Sequence, residues 1–270
     1  MTIRDVTDEV LRSKKYSKID RDVIDRISAE TIPRYARQRD VVKAVKKKLH
    51  IINASFLPDV CHAKAQAYLE TFSGDSLKTN TDFASSIMAL HVSTNERLGQ
   101  AAEIYEYICK FVKAADSIID IGCGFNPFAL AFFTVLPKSY HAFDISSSTI
   151  DVLNKFFRLA GLPYTAQLCD VVAQRPAVYG DVLFMFKLFP ILEQQKEGCA
   201  FDILKSLNCH TSIVSFPLKS ASGREKGMEA FYAAKFESGL PSGFAIVDKT
   251  VFENEMFYVV EKVENVEKGN

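Results

Sequence analysis

The strongest constraint on this chain is a change of pattern at residue 117. From there on, short apolar strings alternate with helical ones. Residues 117–121, 139–143, 164–168, 182–186 and 211–216 read as strands, and "NPFALAFFTVL", "SSSTIDVLNKFFRLAG" and "ILEQQKEGCAFDILKSL" read as the helices between them. This alternation predicts an α/β fold, a parallel sheet with helices on both faces. The last two apolar strings, "FAIVDKTVF" and "EMFYVVEKV", are separated only by Glu253-Asn254. That spacing predicts an antiparallel C-terminal hairpin rather than another crossover. An open parallel sheet closed by such a hairpin is a Rossmann-like plan.

Before residue 117 the chain reads as α-helical. "RDVVKAVKKKLHIINASFL" places Val41, Val42, Val45, Leu49 and Ile52 on one face with lysines opposite. "DFASSIMALHVSTNERLGQAAEIYEYICKFV" keeps helical spacing throughout. The expected organisation is a helical domain over 1–110 and an α/β domain over 111–270. With 33 basic and 33 acidic side chains the formal net charge is zero. Yet 31–50 carries Arg34, Arg37, Arg39, Lys43, Lys46, Lys47 and Lys48 against Asp40 alone. Such a run is either a nucleic-acid contact or a solvated helix face. The six cysteines form no C-x-x-C pair, which argues against a zinc site or a disulfide framework and for free thiols in a reducing cytosol. The N-terminal "MTIRDVTDEVLRSKKY" has no apolar signal core, and no run is long enough to span a bilayer. The expected setting is cytoplasmic, with no membrane partner.

"SIIDIGCGFNPFALAFF" is the first strand-to-turn unit of the sheet, and that turn borders the ligand crevice in folds of this kind. Gly122 and Gly124 let the backbone bend and approach a ligand closely. Asp120, at the strand end, could accept a hydrogen bond from a cofactor ammonium. A dinucleotide fingerprint would need a third glycine near 125–128, where the chain has Phe, Asn, Pro and Phe. Asp144 ends the second strand, where an acid binds ribose hydroxyls. Asp170 ends the third, where methyltransferases hold the adenine amino group. S-adenosylmethionine fits this pattern better than NAD. A non-binding Rossmann-like turn stays open on these residues alone.

Three further strings follow no general fold rule: "HVSTNERL" (91–98), "FKLFPILE" (186–193) and "SFPLKSASGREKGMEAFYAAKFESGLP" (215–241). With "DIGCGFNP" they resemble the aminoglycoside-resistance 16S rRNA methyltransferases that modify N7 of guanine-1405. The resemblance runs over nearly the whole chain. It implies an N-terminal domain that docks on the 30S subunit, a class I methyltransferase domain, S-adenosylmethionine as cofactor, and a monomer.

The same resemblance implies the site. Arg97 would bind the methionine carboxylate, a pairing that suits a guanidinium fork. His91 and Thr94 would line that corner. Asp120, Gly122, Cys123, Gly124, Asn126, Asp144, Ile145, Asp170, Val171 and Phe186 would complete the cofactor site. Phe186, Lys187, Arg224, Met228 and Glu229 would meet the target base, with Glu193 orienting RNA-contacting groups. Lys14, Lys15, Arg37, Lys46, Lys47, Lys48, Arg224 and Lys226 would contact RNA. Where relatives often carry asparagine, this chain has Phe231. Guanine N7 offers an in-plane lone pair, so no general acid or base and no metal is expected. The alternatives are methylation of adenine-1408 N1 and a non-catalytic ribosome assembly factor.

Overall fold

The computed structural model describes residues 1–52, 59–71, 80–113, 116–218 and 227–263. The five apolar strings form parallel strands β1 (Ser117–Ile121), β2 (Ser139–Asp144), β3 (Thr165–Leu168), β4 (Val182–Phe186) and β5 (Thr211–Pro217). β6 (Phe244–Val251) and β7 (Glu255–Lys262) form the hairpin, and β7 inserts antiparallel between β5 and β6. The order is β3-β2-β1-β4-β5-β7-β6. All five residues of β4 are buried, because a central parallel strand is covered on both faces and needs no polar alternation. β1 lies between β2 and β4, so the connections leave it in opposite directions. The crevice at its carboxyl end is where such sheets bind ligands.

The crossovers are less regular than the sequence suggests. "NPFALAFF" forms a 3-10 segment, Asn126–Phe132, rather than an α-helix. Phe125 and Phe128 fill the core beside it, and this packing outweighs helical propensity. The string after β4 divides at Gly198, whose φ is 76°, into two helices. In the N-terminal half, α1 (Ile3–Leu11), α2 (Arg21–Thr31) and α3 (Gln38–Ile52) share a core of Val6, Val10, Ile24, Val41, Val45 and Leu49. Then follow α4 (Asp59–Thr71), α5 (Thr81–Met88), α6 (Val92–Asn95) and α7 (Ala101–Cys109). The long helical string of the sequence is thus interrupted twice, and the break around His91–Gln100 faces the crevice.

Leu69 of α4, Phe83 and Ile87 of α5, and Ile104 and Tyr105 of α7 pack in one core with Phe128, Val152 and Phe156. These helices therefore belong to the sheet's core, and the break in packing falls between α3 and α4 rather than at residue 110. Helical spacing shows that a face is apolar but not which core takes it. The α1–α3 unit is fastened to the turn after β2: Asp20 N–H donates to Ile145 O (2.8 Å), and Ser147 N–H donates to Lys18 O (2.9 Å).

α8 (Ser147–Leu159) covers β2 and β3; α9 (Phe189–Gln195), α10 (Cys199–Ser206) and α11 (Met228–Gly239) follow. Glu193 sits at the α9–α10 junction. Its carboxylate accepts from Gly198 N (3.2 Å) and Ala200 N (3.1 Å) and pairs with Lys235 Nζ of α11 at 3.3 Å. Glu193, expected to orient RNA-contacting groups, thus caps the start of α10. Glu193→Ala is expected to lower the unfolding free energy by about 1–2 kcal/mol, as loss of a helix cap does. Urea titration followed by circular dichroism checks this; an unchanged midpoint would deny the cap its weight.

Candidate active site at the carboxyl edge of the sheet

The turn after β1 has no room for side chains at its two glycines. Gly122 and Gly124 have φ of 62° and 49°, values that disfavour a side chain. A Cβ on Gly122 would lie 2.9 Å from Leu188 Cδ1, and one on Gly124 would lie 2.8 Å from His91 Nε2. Asp144 holds this turn against β2: its carboxylate accepts from Gly124 N (3.0 Å) and Ser146 N (2.9 Å). Above the turn lies a cleft of about 950 Å³, counted out to its open mouth. Its lining includes Gly122, Cys123, Gly124, Asn126, Asp144, Ile145, Asp170, Phe186 and Lys187, with His91, Thr94 and Arg97 from the α6 region.

One wall of the cleft is a buried charge network. Arg97 is 2% exposed and makes a two-point ion pair with Glu255 of β7, Nε–Oε2 2.8 Å and Nη2–Oε1 2.7 Å. Its Nη1 donates to Asn126 Oδ1 at 3.2 Å, and its guanidinium lies 4.9 Å from the Phe186 ring centroid. Tyr105 also hydrogen-bonds this guanidinium, which lies at the cleft wall. Burial opposes the ionisation of Glu255, but Arg97 and Lys187 outweigh it and hold that carboxyl below its usual range. Ser215 also hydrogen-bonds Glu255.

Several expected ligands are engaged within the protein or lie behind the cleft wall. Asp120 is not among the residues lining the cleft. It accepts from Tyr140 Oη (2.5 Å) and Asn126 Nδ2 (2.9 Å), and so orients Asn126 beneath Arg97. Burial pushes the Asp120 carboxyl up to about 7, against the pull of those bonds and of Arg97. Lys187 has φ 54°, unusual for a residue with a side chain. Its Nζ turns inward to Glu96 (2.5 Å) and Glu255 (3.3 Å) rather than outward to RNA. Thr94 donates to Met88 O at 2.7 Å and closes the α5–α6 turn. Val171 is core. Burial raises the Cys123 thiol.

Met228 and Glu229 open α11 at the surface, outside the cleft lining, and Phe231 is 61% exposed one turn on. Arg224 and Lys226 lie outside the described residues. Lys14, Lys15, Arg37 and Lys47 are exposed, and Lys46 and Lys48 are half-buried. Lys15 donates to His50 Nδ1 at 2.9 Å, and Lys48 pairs with Glu30 at 3.3 Å.

The sequence reading missed Glu255, Tyr105, Tyr140 and Arg26. Glu255 follows a hairpin turn, where an acid looks solvent-facing. Only the insertion of β7 beside β5 buries it. Tyr105 and Tyr140 read as apolar core positions, yet both hydroxyls join the Asn126–Asp120 network. Arg26 reaches Asp170 from 144 positions away, with no local signal.

The strand order and the glycine turn facing acids at the next two strand ends define a class I methyltransferase. The family model for ribosomal RNA methyltransferase (FmrO) matches residues 12–259, and the chain belongs to that family. A 16S rRNA (guanine(1405)-N(7))-methyltransferase of Serratia marcescens is 37% identical, covering 97% of this chain and 99% of its own. One of Proteus mirabilis is 31% identical over 97% and 98%. The solved structure of the 16S rRNA methyltransferase RmtF in complex with S-adenosyl-L-homocysteine superimposes with a TM-score of 0.87 at 30% identity, covering 97% of this chain and 98% of that one.

His91 carries a pH prediction. Burial first, then the fields of Arg97, His62 and Lys187, push its imidazole from 6.5 down to about 3. The unfolded chain takes up that proton first, so this stability is present near neutrality and is lost as pH falls from 6.5 towards 3. Asp120 works in the opposite sense between 3.8 and about 7, because there the folded chain takes the proton first. Between pH 7 and 5 the melting temperature of His91→Asn should therefore fall less than that of the unsubstituted chain. Equal falls by calorimetry would deny that His91 stays neutral.

Proposed function

We propose that this chain transfers a methyl group from S-adenosylmethionine to N7 of guanine-1405 in 16S rRNA of the 30S subunit, and so confers aminoglycoside resistance. The observation that carries the reading is the near full-length likeness to methyltransferases named for that base. The cleft suits the cofactor. Arg97 lines the cleft and offers a permanent positive charge to a methionine carboxylate. The glycine turn admits a ligand against bare backbone. The Asp144 carboxylate accepts backbone N–H groups of Gly124, Ser146 and Ile145 and keeps acceptor capacity for a ribose hydroxyl. Asp170 supplies an acceptor for the adenine amino group.

When bound, S-adenosylmethionine supplies a strongly activated methyl group. Guanine N7 needs no deprotonation, so the residues act by alignment rather than by acid or base chemistry. Asp120 orients Asn126, and Asn126 with Glu255 orients Arg97. Phe186 and Lys187 shape the target-base side of the cleft, while Lys187 holds Glu255 rather than a phosphate.

The guanine must leave its stack, at a cost of about a few kcal/mol. Lys14, Lys15, Arg37, Lys46, Lys47 and Lys48 offset this through phosphate contacts, which makes docking salt-sensitive. In this reading Met228, Glu229 and Arg224 contact the displaced base, and Lys226 contacts RNA. Phe231 offers a ring on which a base can stack, in place of the relatives' asparagine. Among the described residues no helix is long and apolar enough to cross a membrane, and the chain acts as a cytoplasmic monomer.

The test is transfer of tritiated methyl groups to purified 30S subunits, with the product mapped by N7-specific strand scission. Label at guanine-1405 is expected. Met228→Ala should lower kcat/KM about 10–100-fold, the cost of a misplaced target, with the affinity for S-adenosylhomocysteine unchanged. Label at adenine-1408 would move the target. Cofactor binding without label would make the protein an assembly factor.

A further inference from the structure

Arg26 belongs to the α1–α3 unit, yet its side chain leaves that unit's core and enters the cleft wall. Val23, Ile24 and Ile27, its neighbours on α2, are buried in the α1–α3 core. Arg26 Nε donates to Asp170 Oδ2 at 2.7 Å, and Nη2 donates to Gln195 Oε1 of α9 at 2.8 Å. The Arg26 and Asp170 side chains are only 17% and 5% exposed. The other Asp170 oxygen accepts Val172 N at 3.0 Å. The carboxylate is thus fixed at both oxygens, and each keeps acceptor capacity towards the cleft.

We infer that Arg26 is a positioning residue of the cofactor site, supplied by the N-terminal helical unit, which holds Asp170 as a charged acceptor selective for a 6-aminopurine. The inference rests on the reading that this cleft takes S-adenosylmethionine.

The selectivity follows from charge. A 6-amino group donates to a carboxylate, whereas a 6-oxo group presents a second acceptor and is repelled. Without Arg26, Asp170 is a buried carboxylate stripped of its ion pair. Such a group turns towards water and away from the purine edge, so discrimination between the two purines collapses along with affinity. Lysine in place of Arg26 restores a point charge but not the fork that spans Asp170 and Gln195.

The experiment is calorimetric titration of the full chain with S-adenosylhomocysteine and with its 6-oxo counterpart, S-inosylhomocysteine. The unsubstituted chain should favour the adenosyl compound by about tenfold or more, the weight of one hydrogen bond to a charged group. Arg26→Ala should lose about tenfold in adenosyl affinity on the same scale, and its preference should shrink to within about twofold. Arg26→Lys should recover part of the preference. If Arg26→Ala does not fold, Arg26→Lys and Gln195→Ala take its place, and both should narrow the preference. An unchanged preference in the variants overturns the inference, even where affinity drops, because a merely structural role weakens both ligands alike. Failure of the unsubstituted chain to bind S-adenosylhomocysteine is a different result: it overturns the proposed function, and this inference falls with it.

Discussion

The buried ion pair between Arg97 and Glu255 is the interaction on which the site depends. Removing two opposite charges from water costs several kcal/mol per ion, and only good geometry with further hydrogen bonds offsets it. Both conditions hold here. The pair meets at two points, Asn126 takes a third guanidinium N–H, and Ser215 and Lys187 complete the shell of Glu255. Apolar residues of similar shape would often stabilise a core as well or better. The charges therefore point to function: they keep a guanidinium permanently ionised and oriented at the edge of a cleft.

The pair also explains why the sheet ends as it does. Glu255 begins β7, opposite Pro217 of β5, and Ser215 of β5 is the register partner of Phe186. Inserting β7 beside β5 brings its first residue to the carboxyl edge, beside the residues that follow β4. Lys187 can reach Glu255 because the backbone there takes a left-handed turn. Asn126, after the glycine turn, links this wall to Asp120 and Tyr140 on the other side. The glycine turn and the Arg97 wall are thus parts of one network.

Legibility in the sequence followed range. The strands, the hairpin, the glycine turn and α8 depend on local apolar spacing and turn chemistry, and all were readable. Asp144 was readable too, since its place at a strand end fixes what it faces. The 3-10 segment after the turn was not, because Phe125 and Phe128 override propensity through distant packing. The division of the chain into cores escaped because an amphipathic helix does not name its partner. Glu255, Arg26 and the inward turn of Lys187 escaped for the same reason: each is defined by a residue far away in the chain. The resemblance singled out Arg97 but not the carboxylate that holds it.

The most direct measurement of the central claim compares the affinity of this chain for S-adenosylhomocysteine with that for 5′-methylthioadenosine, which lacks the amino-acid carboxylate. If Arg97 presents its guanidinium to that carboxylate, S-adenosylhomocysteine should bind about tenfold more tightly or better, as one charged hydrogen bond implies. Arg97→Lys should remove most of the difference. Equal affinity for the two ligands in the unsubstituted chain would contradict the account, leaving Arg97 as Glu255's partner and nothing more.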